Sequence, residues 1–137
     1  MITKMSHVSI YVLDQNSAYD FYVNKLGLTV HTDAPMGPDA RWLTLTPKEQ
    51  PDLEISLMAV KPGMGFTEDT AKKMRELIKA GTFGFGVFET KNIQATYEEL
   101  KAKGVEFTKL RQKSFMELKR SLRMIRGTGF RWEKNSF

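Results

Sequence analysis

The sequence predicts an α+β fold in which one strand–helix–strand unit occurs twice. The first copy spans residues 5–30, MSHVSIYVLDQNSAYDFYVNKLGLTV, and the second spans residues 83–107. In each copy a two-residue apolar period gives way to a period of three and four residues, and a glycine, Gly27 or Gly104, follows the helical stretch. A supersecondary unit that is used twice predicts two related modules.

The first copy opens a half-chain with the order βαβββ. Residues 6–12 alternate between two sets of side chains, which predicts a strand with one buried face. Asp14 offers a carboxylate that can cap the helix that follows. The apolar stripe of that helix consists of Ala18, Phe21, Tyr22 and Leu26.

Three further strands complete this half. Residues 28–30 begin the first, and the link 31–40 contains two prolines and a glycine, which favour turns. Residues 41–46, RWLTLT, form the second strand. The third covers residues 53–60, with Glu54, Ser56 and Met58 on one face and Leu53, Ile55 and Leu57 on the other.

A helix over residues 67–80 is expected to connect the two halves. Thr67 can cap its start, acidic residues fill its first turn and Lys79 lies in its last, which is the charge order that the helix dipole favours. The second unit then runs strand, helix, strand over residues 83–109, with Asn92 as a helix cap.

Composition limits the class of protein. The chain has 137 residues, no cysteine and a net charge of +5. Its length fits one domain, which we divide into module 1 (1–62), the connector helix (67–80), module 2 (83–109) and an atypical basic tail (110–137). The lack of cysteine excludes disulfides and thiolate metal sites, and no apolar run has the length of a membrane span. We therefore expect a cytoplasmic protein without a membrane partner.

The positive charge lies in the tail. Residues 1–109 carry 13 Lys or Arg and 14 Asp or Glu, whereas residues 110–137 carry 8 and 2. A basic region confined to one end says little about the rest of the domain, so nucleic-acid binding is not expected.

These residues resemble the vicinal oxygen chelate superfamily, which includes glyoxalase I, bleomycin- and fosfomycin-resistance proteins and extradiol dioxygenases. The resemblance covers residues 5–108 and is carried by His7 in the first strand, by the helix ending AYDFYVNKLGL, by LEISL and by ATYEELKAKGVEF. It implies paired βαβββ modules, a glyoxalase/bleomycin resistance/dioxygenase-like fold, whose sheets curl around a shared cleft. Here the second module would be incomplete or altered after residue 109.

The resemblance also implies a divalent metal in catalytic members, bound by the first and last strands of each module. His7 matches the first ligand position and Glu54 the second, and both side chains suit such an ion. Gly84 or Phe85 occupies the third position, and neither can bind a metal. The implied site is therefore the incomplete pair His7 and Glu54, and no cofactor is required.

Ligand binding is the alternative role for these positions. His7 is either a hydrogen-bonded strand histidine or a functional one, and with Glu54 it could line the cleft as a polar contact. Trp42, Met58 and Phe85 belong either to the core or to the lining of a pocket. His31 is expected to be a surface residue. No catalytic set is assigned, because neither a phosphate-binding glycine loop nor a Ser–His–acid arrangement is present.

The tail does not continue the second module in an ordinary way. Residues 110–137 form a cationic run without clear alternation, although residues 114–126 could form a short amphipathic helix. As written, the module would lack its last two strands, and the exposed sheet edge would favour a homodimer.

A shift of the reading frame offers another explanation of the tail. One base deleted after codon 109 would convert an ending PPPKEFYGIEAIFKDDSGNWFSMGEK, followed by a stop codon, into the present one. Synonymous codons leave freedom, but the codon pairs Met116–Glu117, Met124–Ile125 and Trp132–Glu133 force Gly, Asp and Gly in that frame. We therefore expect residues 110–137 to be a frameshifted form of an ordinary ending.

Three functions follow from the sequence. The first is a family protein that binds a small oxygen-rich or aromatic molecule in the cleft between modules, without a complete metal site. The second is a divalent-metal-dependent lyase, isomerase or dioxygenase of the same superfamily. The third, RNA or DNA binding by the tail, predicts salt-sensitive affinity that is lost on truncation at Lys109.

Overall fold

Two four-stranded sheets form the framework of the computed structural model, which describes residues 1–83, 87–109, 121–125 and 131–134. The first module contains β1 (His7–Val12), α1 (Gln15–Tyr19), β2 (Thr29–Pro35), β3 (Arg41–Thr46) and β4 (Glu54–Ala59). The rest contains α2 (Glu68–Ala80), β5 (Val87–Glu89), α3 (Ile93–Ala102), β6 (Glu106–Lys109), β7 (Ser121–Ile125) and β8 (Arg131–Lys134).

The first sheet has the strand order β1-β4-β3-β2. Strands β1 and β4 are parallel, and the other two pairings are antiparallel. One face is apolar, with Ile55 and Leu57 only 1% exposed. It packs on Phe21 and Tyr22 in the main hydrophobic core. The alternation predicted for β4 is therefore confirmed, and it leaves the opposite face to polar side chains.

The first helical stretch is less regular than predicted. Asp14 caps α1 by accepting from the backbone N–H of Ser17 at 2.7 Å. After α1, residues Asp20–Lys25 form a π-helix, and the N–H of Leu26 donates to the carbonyl of Phe21 at 2.9 Å. A π-helix closes its hydrogen bonds five residues apart, so the helix widens here.

Strand β2 is longer than predicted, because it continues to Pro35 through residues expected to form a link. It lies at the edge of its sheet, where a proline without an N–H is tolerated. Met36 then donates its N–H to Ala40 at 2.8 Å, and Gly37 has φ of +84°, which closes the turn to β3.

Helix α2 fills the connector. Thr67 caps its start, and Gly81, with φ of +69°, follows its end. Ala71 and Ile78 pack on Val60 in a second, smaller apolar cluster. No helix within the described ranges is long and apolar enough to cross a membrane.

The second module shares the main core with the first. Asn92 caps α3 as predicted, accepting from the N–H of Ala95 at 3.0 Å. Leu100 and Val105 are buried in the same cluster as the apolar face of the first sheet. The two modules are therefore joined by a continuous apolar core.

The tail contributes β7 and β8 to the second sheet, whose order is β5-β7-β8-β6. The expectation that the last two strands are missing is therefore wrong, and residues 121–125 are a strand rather than part of a helix. A repeat of the first sheet would have the order β5-β8-β7-β6. The two tail strands are exchanged, so β7 is antiparallel to β5 and β8 is parallel to β6. The second module is altered after residue 109.

Candidate functional site

The polar face of the first sheet collects the side chains that the sequence marked for function. We use the name polar face for His7 and Ser9 of β1, Trp42 and Thr44 of β3, and Glu54, Ser56 and Met58 of β4. Contacts across the strands confirm that they share one side. Ser9 Oγ lies 3.4 Å from Met58 Sδ, and Thr44 is paired with Ser56.

Glu54 lies between two histidines at one end of this face. Its Oε1 atom is 3.2 Å from His7 Nε2, and its Oε2 atom is 3.2 Å from His31 Nδ1. Thr44 Oγ1 donates to Oε2 at 2.9 Å. The Glu54 side chain is 19% exposed, whereas both imidazoles are about half exposed. The Glu54 carboxylate is therefore half-buried, and the two imidazoles beside it are exposed to solvent.

Backbone register explains both histidine contacts. His7 is the direct partner of Glu54 in the parallel pairing of β1 with β4. His31 reaches the same carboxylate from β2, where the pairing with β3 shifts between Val30 and Thr32. Such a β-bulge inserts one residue and re-aims its side chain. His31 is exposed, as expected, but its contact with Glu54 was missed, because no sequence signal marks the bulge.

The contacts of the two ring nitrogens favour one proton position on His7. Ser6 Oγ lies 2.9 Å from His7 Nδ1. A carboxylate can only accept, so the 3.2 Å contact with Glu54 favours a proton on Nε2, and the Ser6 hydroxyl can then donate to Nδ1. His31 Nδ1 lies 3.0 Å from Thr32 Oγ1 and 3.2 Å from Glu54 Oε2, so both groups are partners of this nitrogen.

The fit of a metal ion can be tested on this geometry. The donor set of imidazole and carboxylate suits a divalent ion. However, His7 and His31 each place a ring nitrogen next to a different carboxylate oxygen of Glu54. These two nitrogens do not converge on a shared position that an ion could occupy. No group of three or more His, Cys, Asp or Glu side chains in the described residues could hold a metal ion. The described side chains therefore do not fit a metal centre.

Trp42 and Met58 meet at the other end of the polar face. They line a cavity of about 50 Å³ together with Ser56, Met36 and Met64. Trp42 is 37% exposed, so its ring is available at the cavity mouth. Trp42 and Met58, two of the lining residues predicted from the sequence, therefore lie together in the structure. Phe85, the third predicted lining residue, lies outside the described residues.

A larger polar cavity adjoins this one. It has a volume of about 400 Å³, and both cavities are lined by Gln15, Arg41 and Lys61. Arg41 donates to both carboxylate oxygens of Asp33, at 2.6 and 2.9 Å, and this pairing raises the pKa of Arg41. None of these residues was singled out from the sequence, because the pairing depends on the turn between β2 and β3.

A third cavity, of about 570 Å³, lies at the junction of the modules. Leu28 and Lys48 line it from the first module, and Phe88 and Leu100 from the second. Lys91 forms an ion pair with Glu49 across this junction. The family resemblance implied a cleft between the modules, but the site residues named from the sequence are not among those that line this cavity.

Comparison with known proteins places this geometry in a family. The chain matches the Glyoxalase/Bleomycin resistance protein/Dioxygenase superfamily over residues 4–131. It is 37% identical to the uncharacterized protein YetH of Bacillus subtilis over 107 residues, which is 78% of each chain. UcmS2, a solved structure, is 38% identical with a TM-score of 0.80, over 97% of this chain and 96% of that one.

A more distant solved structure has the same fold. TnmS3, an antibiotic binding protein from Streptomyces sp. CB03234, is 22% identical with a TM-score of 0.63, over 97% of this chain and 95% of its own. Sequence match, relatives and fold agree. The chain belongs to the Glyoxalase/Bleomycin resistance protein/Dioxygenase superfamily.

Proposed function

We propose that the protein binds a small oxygen-rich or aromatic molecule on the polar face, without a complete metal site. The observation that carries this proposal is the placement of Glu54, which accepts from Thr44 and lies 3.2 Å from His7 and His31, on the same face as the Trp42–Met58 cavity. Ligand sites combine apolar and aromatic walls with a few placed polar groups. The polar face has both.

The chemistry of the lining favours aromatic ligands. Trp42 offers a large exposed ring, and Met36, Met58 and Met64 are flexible side chains that adapt to the shape of an apolar body. The fold neighbour TnmS3 is an antibiotic binding protein. We extend that role, as a proposal, to this chain.

A thermal-shift screen of the full chain tests the proposal. The protein is first treated with EDTA and then mixed with oxygenated aromatic compounds, and binders are expected to raise the unfolding temperature because they bind the folded state. Trp42→Ala should abolish the shift, whereas Leu77→Ala, on exposed α2 surface, should leave it unchanged. Binders that shift Trp42→Ala as much as the native chain would overturn the proposed site.

A metal-dependent enzyme is the second candidate function. It is favoured by the 3.2 Å contact between His7 and Glu54, the two positions that the family resemblance gives to metal ligands. Such an enzyme needs further ligands from outside the described residues. The test is metal content after purification without chelator. A stoichiometric divalent ion that is lost in both His7→Ala and Glu54→Ala would favour the enzyme over the binding protein.

We also propose a homodimer. Strands β1 and β2 are the two edges of the first sheet, and an open edge can pair with another chain. Light scattering coupled to size exclusion measures the mass directly. A mass of twice 15.7 kDa is expected, and a monomer at all concentrations would contradict this assembly.

A further inference from the structure

The Trp42–Met58 cavity is too small to hold a whole ligand. Its volume is about 50 Å³, whereas pockets that bind small molecules have roughly 300–1,000 Å³. The polar cavity that adjoins it has a volume of about 400 Å³, and Gln15, Asp39 and Lys61 line both. A ligand whose aromatic part enters the smaller cavity therefore has room for a second part in the larger one.

Hydrogen bonds hold the wall of the polar cavity in place. Gln15 Nε2 donates to the backbone carbonyls of Arg41 and Leu57, at 2.8 and 2.7 Å. The Arg41 guanidinium is fixed by both carboxylate oxygens of Asp33 and by Asn16 Oδ1, to which Nη1 donates at 2.7 Å. Side chains that are already ordered lose little conformational freedom when a ligand binds.

The same wall retains both donors and acceptors. The Arg41 bonds use three of the five N–H groups of a guanidinium, and Lys61 Nζ uses one of its three on the Asp39 carbonyl, at 3.1 Å. The Gln15 Oε1 atom and the Asp39 carboxylate take no part in these bonds. The lining therefore offers hydrogen-bond groups of both kinds.

We propose that the two cavities form one site for a two-part ligand, an aromatic body that carries a neutral, hydroxyl-rich arm such as a sugar. The body lies at Trp42 and the arm occupies the polar cavity. A hydroxyl both donates and accepts, so an arm with several hydroxyls matches a lining that offers both. An apolar group in the same place displaces water without replacing its hydrogen bonds. This inference rests on the proposed function and names its ligand class.

The charge of the lining favours a neutral arm over an acidic one. Three aspartates, Asp14, Asp33 and Asp39, lie there with two basic side chains, Arg41 and Lys61, which gives a formal net charge of −1. Arg41 is already paired with Asp33. An anionic arm meets two further carboxylates with Lys61 to offset them, whereas a hydroxyl forms charge-assisted hydrogen bonds with groups of either sign.

Four probes test this assignment by calorimetry on the full, EDTA-treated chain in neutral buffer. They are 2-naphthyl β-D-glucopyranoside, 2-naphthol, methyl β-D-glucopyranoside and 2-naphthyl β-D-glucuronide. The first carries both parts, the next two carry one part each, and the last has an anionic arm. The naphthyl glucoside is expected to bind at least about tenfold more tightly than each of the others, because each of these fails to match one of the two cavities.

Two alanine variants separate the cavities. Asn16 lines the polar cavity and not the apolar one, and Trp42 lines the apolar cavity and not the polar one. Asn16→Ala should weaken the naphthyl glucoside and leave 2-naphthol unchanged, whereas Trp42→Ala should weaken both. Asn24→Ala is the matched control, because Asn24 donates to Asp20 and lines neither cavity. The probe comparison in the native chain needs no variant, so it stands even if a variant fails to fold.

The outcomes distinguish this inference from the proposed function. Equal affinity for the naphthyl glucoside and 2-naphthol, with both weakened by Trp42→Ala, would overturn the two-part ligand and leave the proposed function standing. Tighter binding of the glucuronide than of the glucoside would overturn the neutral arm. Naphthyl probes that bind Trp42→Ala as well as the native chain would overturn both proposals. Failure of all four probes to bind would overturn the two-part ligand, and the proposed function would fail with it only if the thermal-shift screen also found no binder.

Discussion

The Nε2 atom of His7 lies 3.2 Å from the Oε1 atom of Glu54, across the parallel pair of strands β1 and β4. The two residues are far apart in the sequence and become direct neighbours through strand pairing. With Ser6 Oγ 2.9 Å from the other ring nitrogen, this contact favours a proton on Nε2 of His7.

The proton position on His7 is the first prediction. The neutral ring should be the Nε2–H tautomer, because Glu54 needs a donor and Ser6 can supply the hydrogen bond to Nδ1. Long-range proton–nitrogen NMR correlations at about pH 8 distinguish the two tautomers. The same spectrum reports the tautomer of His31, whose Nδ1 lies 3.0 Å from Thr32 Oγ1 and 3.2 Å from Glu54 Oε2. The opposite assignment at His7 would contradict the hydrogen-bond network.

Core packing gives the second prediction. Leu45 is fully buried in the main core, so Leu45→Ala should lower the free energy of unfolding by about 2–5 kcal/mol. Leu77→Ala is the matched control, because Leu77 is 46% exposed on α2 and should cost far less. Urea denaturation measures both. Equal losses would show that Leu45 does not occupy the core as described.

The cap at Asp14 gives the third prediction. Its hydrogen bonds with the backbone and hydroxyl of Ser17 hold the pKa of Asp14 below the ordinary value of an aspartate. Asp14→Ala should lower the free energy of unfolding by about 1 kcal/mol at neutral pH. Asp52→Ala, in an exposed turn, is the control.

The sign of the pH dependence follows from that lowered pKa. The charged cap stabilises the fold fully above the pKa of Asp14 in the unfolded chain, and its contribution is lost as the pH falls through the lower pKa of the folded chain. The stability difference between the native chain and Asp14→Ala should therefore shrink in acid. A difference that stays constant down to about pH 2 would mean that the carboxylate charge is not responsible.

The tail gives the fourth prediction. We propose that residues 110–137 are a frameshifted ending, so the chain that continues after Lys109 as PPPKEFYGIEAIFKDDSGNWFSMGEK should unfold at a higher temperature than the present chain. It should also lose any salt-sensitive binding to single-stranded DNA, because that binding would depend on the basic tail. Calorimetric melting and fluorescence anisotropy measure the two effects. A lower melting temperature for the replaced ending would contradict the proposal.

Local features were predictable from sequence because neighbouring residues determine them. In each of the caps Asp14, Thr67 and Asn92, the side-chain oxygen accepts a hydrogen bond from the backbone N–H one turn later in the helix. The two faces of β4 follow from strict alternation.

Contacts between distant strands could not be predicted in the same way. The contact of His31 with Glu54 needs a bulge in β2, and the pairing of Arg41 with Asp33 needs the register of β2 with β3. A shift of one residue in the pairing register moves every side chain of a strand to the other face. Amino-acid composition does not indicate which register forms. The exchanged order of β7 and β8 is a further long-range choice of this kind.

Binding without metal on the polar face is the central claim, and amide NMR with 4-phenylphenol tests it most directly. The EDTA-treated chain should show shifts at the Trp42 indole N–H and at the amides of Ser56 and Met58, with Thr96 at the module junction unchanged as the control. The same shifts should persist when Zn²⁺ is added. Shifts that occur only with metal, or that fall at Thr96 and Leu100 instead, would contradict the account.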